Sequence, residues 1–276
     1  MKLLRLLFLI TFFIFTSQDA WAGKYKRIIS LSPSTTEIVY ALGLSDDLVG
    51  VTDFCDWPPE AKDKASVGGI INPSLEAIVS LKPDIVLLSL DGQSPELLKR
   101  LGDMNVRIYT FKAKRLKGFG GEIVKLAEEL GVKEEGAKLR DRINGELEGF
   151  ENFKKYEGKN VIYIVWPEPL LVAGSGTSIN DALKLLGLDN LASDAIGEYP
   201  RFSVEELIRR NPDVIFIGNH SMTLAPGEKL LKKLHTLDAV KSGNVFFIGD
   251  ALHRLGPRTT SGVQELIDSL EGKNNK

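Results

Sequence analysis

The sequence is short of the residues that staple or metallate a small secreted domain. It has one cysteine, Cys55, in 276 residues, so no internal disulfide can form and the fold must rest on a hydrophobic core. Three histidines and no cysteine pair do not supply a structural zinc site. Neither sign of charge is in large excess: 35 Lys and Arg stand against 37 Asp and Glu, for a net charge of −2. With no basic stripe to neutralise phosphates, nucleic acid is not an expected partner. Beyond the first residues no apolar run is long enough to span a bilayer, for which about 20 residues are needed.

What the first residues do have is an export signal. Lys2 and Arg5 are basic, Leu6 to Phe15 is uncharged and apolar, and Ala20-Trp21-Ala22 offers small residues around a cut after Ala22. An uncleaved anchor is the alternative, but the run is too short for it. No cysteine follows the cut, so a lipoprotein is not expected. The chain that remains is long enough for two domains.

An internal repeat then fixes the plan. Ser74-Leu75-Glu76, an apolar helix and Lys82-Pro83-Asp84-Ile85-Val86-Leu87-Leu88 recur as Ser203-Val204-Glu205, a helix and Asn211-Pro212-Asp213-Val214-Ile215-Phe216-Ile217. Ser, Glu, Pro and Asp keep one constant offset. Each copy reads as a capped helix, a proline that ends it, and a strand buried on both faces. A looser echo pairs Ala41-Leu42-Gly43-Leu44 with Leu185-Leu186-Gly187-Leu188, both at helix ends. Two matches in the same order predict two lobes of similar build.

Within each lobe strands and helices alternate, which predicts an α/β fold of two Rossmann-like lobes with parallel sheets. Strands are expected at Leu48–Val51, Ile85–Ser89, Val214–Gly218 and Val245–Ile248, and near 27–31, 107–110 and 160–165. Between the lobes, apolar residues at Ile123, Leu126, Leu130, Leu139, Ile143, Leu147 and Phe150 sit among dense charge. That pattern predicts a long solvated helix or helix pair, with Gly131, Gly136 and Gly145 as weak points. The expected organisation is a signal peptide over 1–22, a first lobe over 23–119, an interdomain helix over 120–156 and a second lobe over 157–276.

Four blocks carry a family resemblance: Arg27-Ile28-Ile29-Ser30-Leu31-Ser32-Pro33-Ser34-Thr35-Thr36-Glu37, Asp56-Trp57-Pro58-Pro59-Glu60-Ala61, Asn72-Pro73-Ser74-Leu75-Glu76 and Leu81-Lys82-Pro83-Asp84. Together they resemble the iron-siderophore and vitamin B12 class of periplasmic binding proteins, and most of all its cobalamin-binding members. The resemblance implies class III architecture, with a long interdomain helix and a nearly preformed cleft. It also implies a monomeric, periplasmic, non-enzymatic carrier that delivers a corrinoid to an ABC permease and ATPase complex. Cobalamin would be cargo, and no resident cofactor or metal is implied. A ferric siderophore or haem is the alternative ligand.

The same resemblance assigns residues. Trp57 matches an aromatic that packs on the corrin ring from the first lobe, and Tyr199 matches one facing the ligand from the second. A tryptophan before a Pro pair suits an extended loop, although a core tryptophan under a loop fits as well. Asp250, Arg254 and His253 are expected at the polar edge of the ligand; a helix-capping Asp with a solvated Arg is the plainer reading. Glu76 and Glu205 match acids that dock on the permease, or else are first-turn acids favoured by the helix dipole. Ile70 and Ala251 stand where the cobalamin binders have tryptophans.

Other motifs carry less. Gly174-Ser175-Gly176-Thr177-Ser178 lacks the third glycine and the lysine of a nucleotide loop and reads as a tight turn facing the cleft. His220 and His253 follow strand ends and, with Asp250, are too few for a dedicated metal site. A Rossmann-like enzyme using Cys55 or Asp250 is the reading from another class, but no nucleophile–base pair can be assembled.

Overall fold

Short runs of branched and aromatic residues, insoluble on their own, become the inner strands of two sheets. A computed structural model describes residues 23–90, 95–219 and 223–272. The export signal expected over 1–22, and His220, lie outside the described residues.

In the first lobe β1 (Ile28–Ser30), β2 (Leu48–Val51), β3 (Ala65–Ser66), β4 (Ile85–Ser89) and β5 (Arg107–Phe111) form one sheet in the order β3-β2-β1-β4-β5. Every pairing in it is parallel. Successive side chains leave a strand on opposite faces. Ile28, Ile85 and Leu87 therefore enter one core with Phe111, while Ile29, Val86 and Leu88 enter another. Helix α1 (Pro33–Ala41) covers the first of these with Ile38 and Val39. Helices α2 (Leu75–Ser80) and α3 (Pro95–Asp103) cover the second with Ile78, Leu97 and Leu101.

The linking segment expected over 120–156 consists of two helices, α4 (Phe119–Leu130) and α5 (Lys133–Phe150). The break falls at Gly131, whose φ of 82° suits a residue without Cβ. The two helices lie close: a Cβ on Gly136 would come within 2.3 Å of the Ala127 Cβ. Ile123, Leu126 and Leu130 of α4 join the first core, and α5 adds Leu139 and Ile143. Further along α5, Leu147 packs on the first core and on the second lobe's, as does Leu116 before α4. The bridge between lobes is thus the 18-residue α5 with the strap around Leu116.

The second sheet runs β10-β9-β6-β7, built from β6 (Asn160–Pro167), β7 (Leu170–Val172), β9 (Val214–Gly218) and β10 (Val245–Ile248). The short β8 (Asp189–Asn190) also pairs with β6. This sheet is not wholly parallel, because β7 runs antiparallel to β6. Only Glu168 and Pro169 separate the two strands, too few for a crossover, so the chain must turn straight back. Helices α6 (Ser178–Leu185), α7 (Val204–Arg210), α8 (Leu224–Lys233), α9 (Asp238–Lys241) and α10 (Thr259–Leu270) complete the lobe.

The repeat has a physical content in both lobes. Ser74 Oγ accepts from the Ala77 amide at 3.2 Å, and Ser203 Oγ from the Glu206 amide at 3.1 Å, so each caps its helix. Ile78 and Leu207 are buried at the same register. Lys82 and Asn211 both turn left-handed, with φ of 46° and 42°. Asp84 accepts from the Lys26 and Arg27 amides at 2.9 Å, and Asp213 from the Asn160 amide at 2.9 Å. In each lobe the repeated aspartate therefore pins the start of the neighbouring central strand.

Candidate functional site

Ligands of parallel sheets gather beyond the C-terminal ends of the strands. Here the loops leaving those ends of β2 and β10 meet across the two lobes. The first carries Phe54, Cys55, Asp56 and Trp57. The second opens with the 3₁₀ turn Asp250–Leu252, followed by His253, Arg254 and Arg258.

Charge holds the meeting point together. Arg254 donates to Asp56 across the lobes through Nη1, and its Nη2 lies 2.9 Å from Asp250 Oδ2. Arg258 grips Glu37 of α1 with both branches of its fork, Nε to Oε2 at 3.0 Å and Nη2 to Oε1 at 2.6 Å. Its Nη1 also reaches Asp250 at 3.2 Å. Glu37, Asp56 and Asp250 thus surround two guanidinium groups.

Burial tunes these groups. Glu37 is only 3% exposed; burial pushes its carboxyl up, and the Arg258 fork holds it partly back down. Burial works against the Arg258 charge, but the Glu37 and Asp250 carboxylates more than restore it, so its pKa rises. Burial also opposes the charge of Asp56, yet the Arg254 guanidinium holds that carboxyl below its usual range.

Of the exposed aromatics, Trp57 touches this bridge. Trp57 is 44% exposed on its loop, not a core residue, and the Arg258 guanidinium lies 4.6 Å from its ring centroid. Phe54, immediately before the buried Cys55, is also exposed. Tyr199, 48% exposed, lies on the strap between β8 and α7. A turn at Gly174 supports that strap: the Gly174 amide donates to Glu198 O at 2.8 Å, and a Cβ there would lie 2.7 Å from Gly197 O. The Gly174–Ser178 motif is therefore a close backbone approach that seats the tyrosine loop. Lys114, on the strap after β5, reaches Glu198 at 3.4 Å, and Arg115 pairs with Asp181 of α6.

The sequence-predicted residues separate into groups. Asp250 and Arg254 are brought together, at the centre of the interlobe bridge. His253 turns toward the second sheet, with Nε2 2.7 Å from the hydroxyl of the fully buried Tyr163. Burial pushes that hydroxyl well above its ordinary range, so it stays protonated and can donate to the imidazole. Glu76 and Glu205 are exposed in the first turns of α2 and α7. Ile70 is half-buried and Ala251 buried. Cys55 Sγ accepts from Thr36 Oγ1 at 3.1 Å and lies 3.2 Å from Thr52 Oγ1, and burial pushes the thiol up. That environment packs a thiol and does not activate one.

Sequence reasoning did not single out Glu37, Asp56 or Arg258 as site residues. The available signal was a glutamate inside the apolar stretch of α1, which needs a buried cation, and Arg258 is the side chain that answers it. Phe54 also carried a signal, as a large aromatic just past a strand end.

Three comparisons place this geometry. The model of the periplasmic binding protein family matches residues 28–252. An uncharacterized ABC transporter substrate-binding lipoprotein of Bacillus subtilis, YvrC, is 33% identical over 270 residues, covering 92% of this chain and 83% of that protein. The crystal structure of the periplasmic vitamin B12 binding protein BtuF of Vibrio cholerae superposes with a TM-score of 0.79 at 28% identity, covering 91% of this chain and 99% of that one. A periplasmic haem-binding protein from Pseudomonas aeruginosa superposes with a TM-score of 0.82 at 28% identity, covering 89% of this chain and 92% of that one. With a two-lobed α/β fold, a charged interlobe bridge and a family match across both lobes, this chain belongs to the periplasmic binding protein family.

Proposed function

We propose that the chain captures cobalamin or a related corrinoid between its lobes and delivers it to an ABC permease and ATPase complex. One observation carries the reading: half-exposed aromatics stand on loops of different lobes, Trp57 against the Arg258 bridge and Tyr199 on the strap that Lys114 ties to the first lobe through Glu198. Aromatic faces on two lobes suit a broad, flat, partly apolar ligand; in this reading Asp250 and Arg254 orient its polar edge, with His253 held behind them on Tyr163. The likeness to the vitamin B12 binder along nearly its whole length supports the same ligand class. The carrier works as a monomer in the periplasm, released by cleavage of a signal after residue 22. Among the described residues no helix is long and apolar enough to cross a membrane.

Glu76 and Glu205 are the docking acids in this reading. Both start helices at the C-terminal edges of the sheets, where the cleft opens. Among the described residues neither takes part in an ion pair, whereas the adjacent Glu206 pairs with Arg209 and Arg210. A first-turn acid serving only its own helix would not need to recur at the same register.

A second reading replaces the corrinoid with haem or a ferric siderophore. The likeness to the haem binder favours it, as do Ile70 and Ala251, which make the cleft less aromatic. Titration of the purified chain with cyanocobalamin, haem and ferrichrome decides between them, followed by tryptophan quenching and, for haem, the Soret band. Stoichiometric binding of cyanocobalamin below about 1 µM, a free energy beyond roughly −8 kcal/mol, is the expected result. Binding of haem or ferrichrome alone would replace the corrinoid reading.

A further inference from the structure

We propose that each docking face is bipartite, an acid with an aliphatic side chain one helical turn on: Glu76 with Val79, and Glu205 with Ile208. The membrane partner then presents to each a cation set in an aliphatic collar, and the first lobe makes the stronger contact. The inference rests on the docking role given above to the two acids and adds the chemistry of what meets them.

The repeat itself singles out the aliphatic positions. Most of its retained residues have a local structural duty: the serines cap, the aspartates pin strands, and Ile78 and Leu207 fill cores. Val79 and Ile208 keep a branched aliphatic type, yet both are 38% exposed. They have no core reason to match. Residues three apart on a helix are neighbours on its surface, so each aliphatic lies beside its glutamate. Single exposed aliphatics are ordinary, but this is the same acid-plus-aliphatic pair presented twice. A partner built of two like subunits would read such a pair twice.

The two faces are not equal. In the first lobe Val79 lies in a groove of about 500 Å³ with Leu75, Met104, Glu76 and Arg100, where Met104 is itself half exposed. In the second lobe Ile208 is followed by Arg209, and Lys229 and Lys233 line the other flank of α7 beside Val204. An aliphatic collar has apolar surface to cover on the first face and mostly charge on the second. Burying one aliphatic side chain is worth roughly a tenfold change in affinity.

The test measures association of fluorescently labelled, ligand-loaded protein with nanodiscs carrying the source cell's permease–ATPase complex. Val79→Ser should weaken it five- to tenfold, Ile208→Ser two- to threefold, and Val79→Ile should keep it, while cyanocobalamin affinity and melting temperature stay at wild-type values. Unchanged association for Val79→Ser, when Glu76→Lys with Glu205→Lys abolishes it, overturns this inference and leaves the docking acids standing. Unchanged association for the double lysine variant removes the docking assignment and this inference together. Binding of equal strength to nanodiscs of the same lipid without the complex, or an equal effect of the two serine variants, also overturns it.

Discussion

Removing Arg258 strands a buried carboxylate, and the cost should depend on pH in a calculable way. Glu37 is 3% exposed and takes two hydrogen bonds from the Arg258 fork. In Arg258→Ala it can stay charged and unpaired, or protonate. Protonation sets the ceiling: from the ordinary value of 4.5, neutralising the carboxyl at pH 7 costs about 3.4 kcal/mol, and at pH 5 about 0.7 kcal/mol. The variant should therefore lose about 2–3 kcal/mol at pH 7 and about 1 kcal/mol at pH 5, the remainder at pH 5 reflecting the lost Asp250 and Trp57 contacts. The folded pKa of Glu37 is raised, so its contribution is fully present below the unfolded value and is lost as pH rises through the folded one. Urea unfolding of wild type, Arg258→Ala, Glu37→Gln and the double variant at both pH values measures the coupling. The double variant should recover at least about 1 kcal/mol over Arg258→Ala at pH 7, because Gln leaves no buried charge. An equal cost at pH 5 and pH 7, or no recovery in the double variant, refutes a charged Glu37 held by Arg258.

The other expectations are simpler. Trp57→Ala and Tyr199→Ala should each weaken cyanocobalamin binding about tenfold or more in an equilibrium titration, with Trp57→Ala losing in addition about 0.5–1 kcal/mol of stability through the Arg258 contact; unchanged affinity in both would remove the aromatics from the site. Gly136→Ala should destabilise by about 1–3 kcal/mol, since its Cβ would press on Ala127 at 2.3 Å and push α4 from α5. Gly145→Ala, on the same helix with nothing within 4 Å, should instead stabilise by about 0.5–1 kcal/mol, and denaturant midpoints compare the two directly. Ser203→Ala should cost about 1 kcal/mol through the lost cap on α7 while leaving ligand affinity alone, which unfolding and titration together check.

Local chemistry made much of the fold legible. Runs such as Ile85-Val86-Leu87-Leu88, short, branched and bounded by a Pro-Asp turn, read as buried strands, the serine caps and prolines mark where helices start and stop, and the repeat ties the lobes together. The antiparallel β7 was not legible as such, because Leu170-Leu171-Val172 is too short a run to assign, and only the two-residue gap from β6 shows its direction. At the site, the two prolines after Trp57 pointed to an extended loop, and the structure decides its exposure against the buried alternative. The partners of the charges were not legible. Glu37 meets Arg258 across 221 positions and Asp56 meets Arg254 across 198, and no local pattern encodes a contact that both lobes must fold to make. Arg254, expected from the resemblance at the ligand's polar edge, holds the lobes to each other through Asp56, with Asp250 bracing it and Arg258.

That double engagement constrains how the cleft can accept a ligand. Arg258 covers one face of Trp57, and Glu37 and Asp250 hold it there from opposite lobes. A planar ligand that needs the covered face must dislodge a guanidinium bonded to two carboxylates, one of them buried, and charge-assisted bonds of that kind cost about 1.5–3 kcal/mol each to lose. A ligand that stacks on the open face or the edge of Trp57 leaves the bridge intact, and the strap carrying Tyr199 is itself held from both lobes by Lys114 and Gly174. In the proposed complex the ring therefore stacks on Trp57 while the bridge stays closed. The lobes need not separate for that ligand to bind, because the interlobe contacts come from the strand-end loops and from α5 at once.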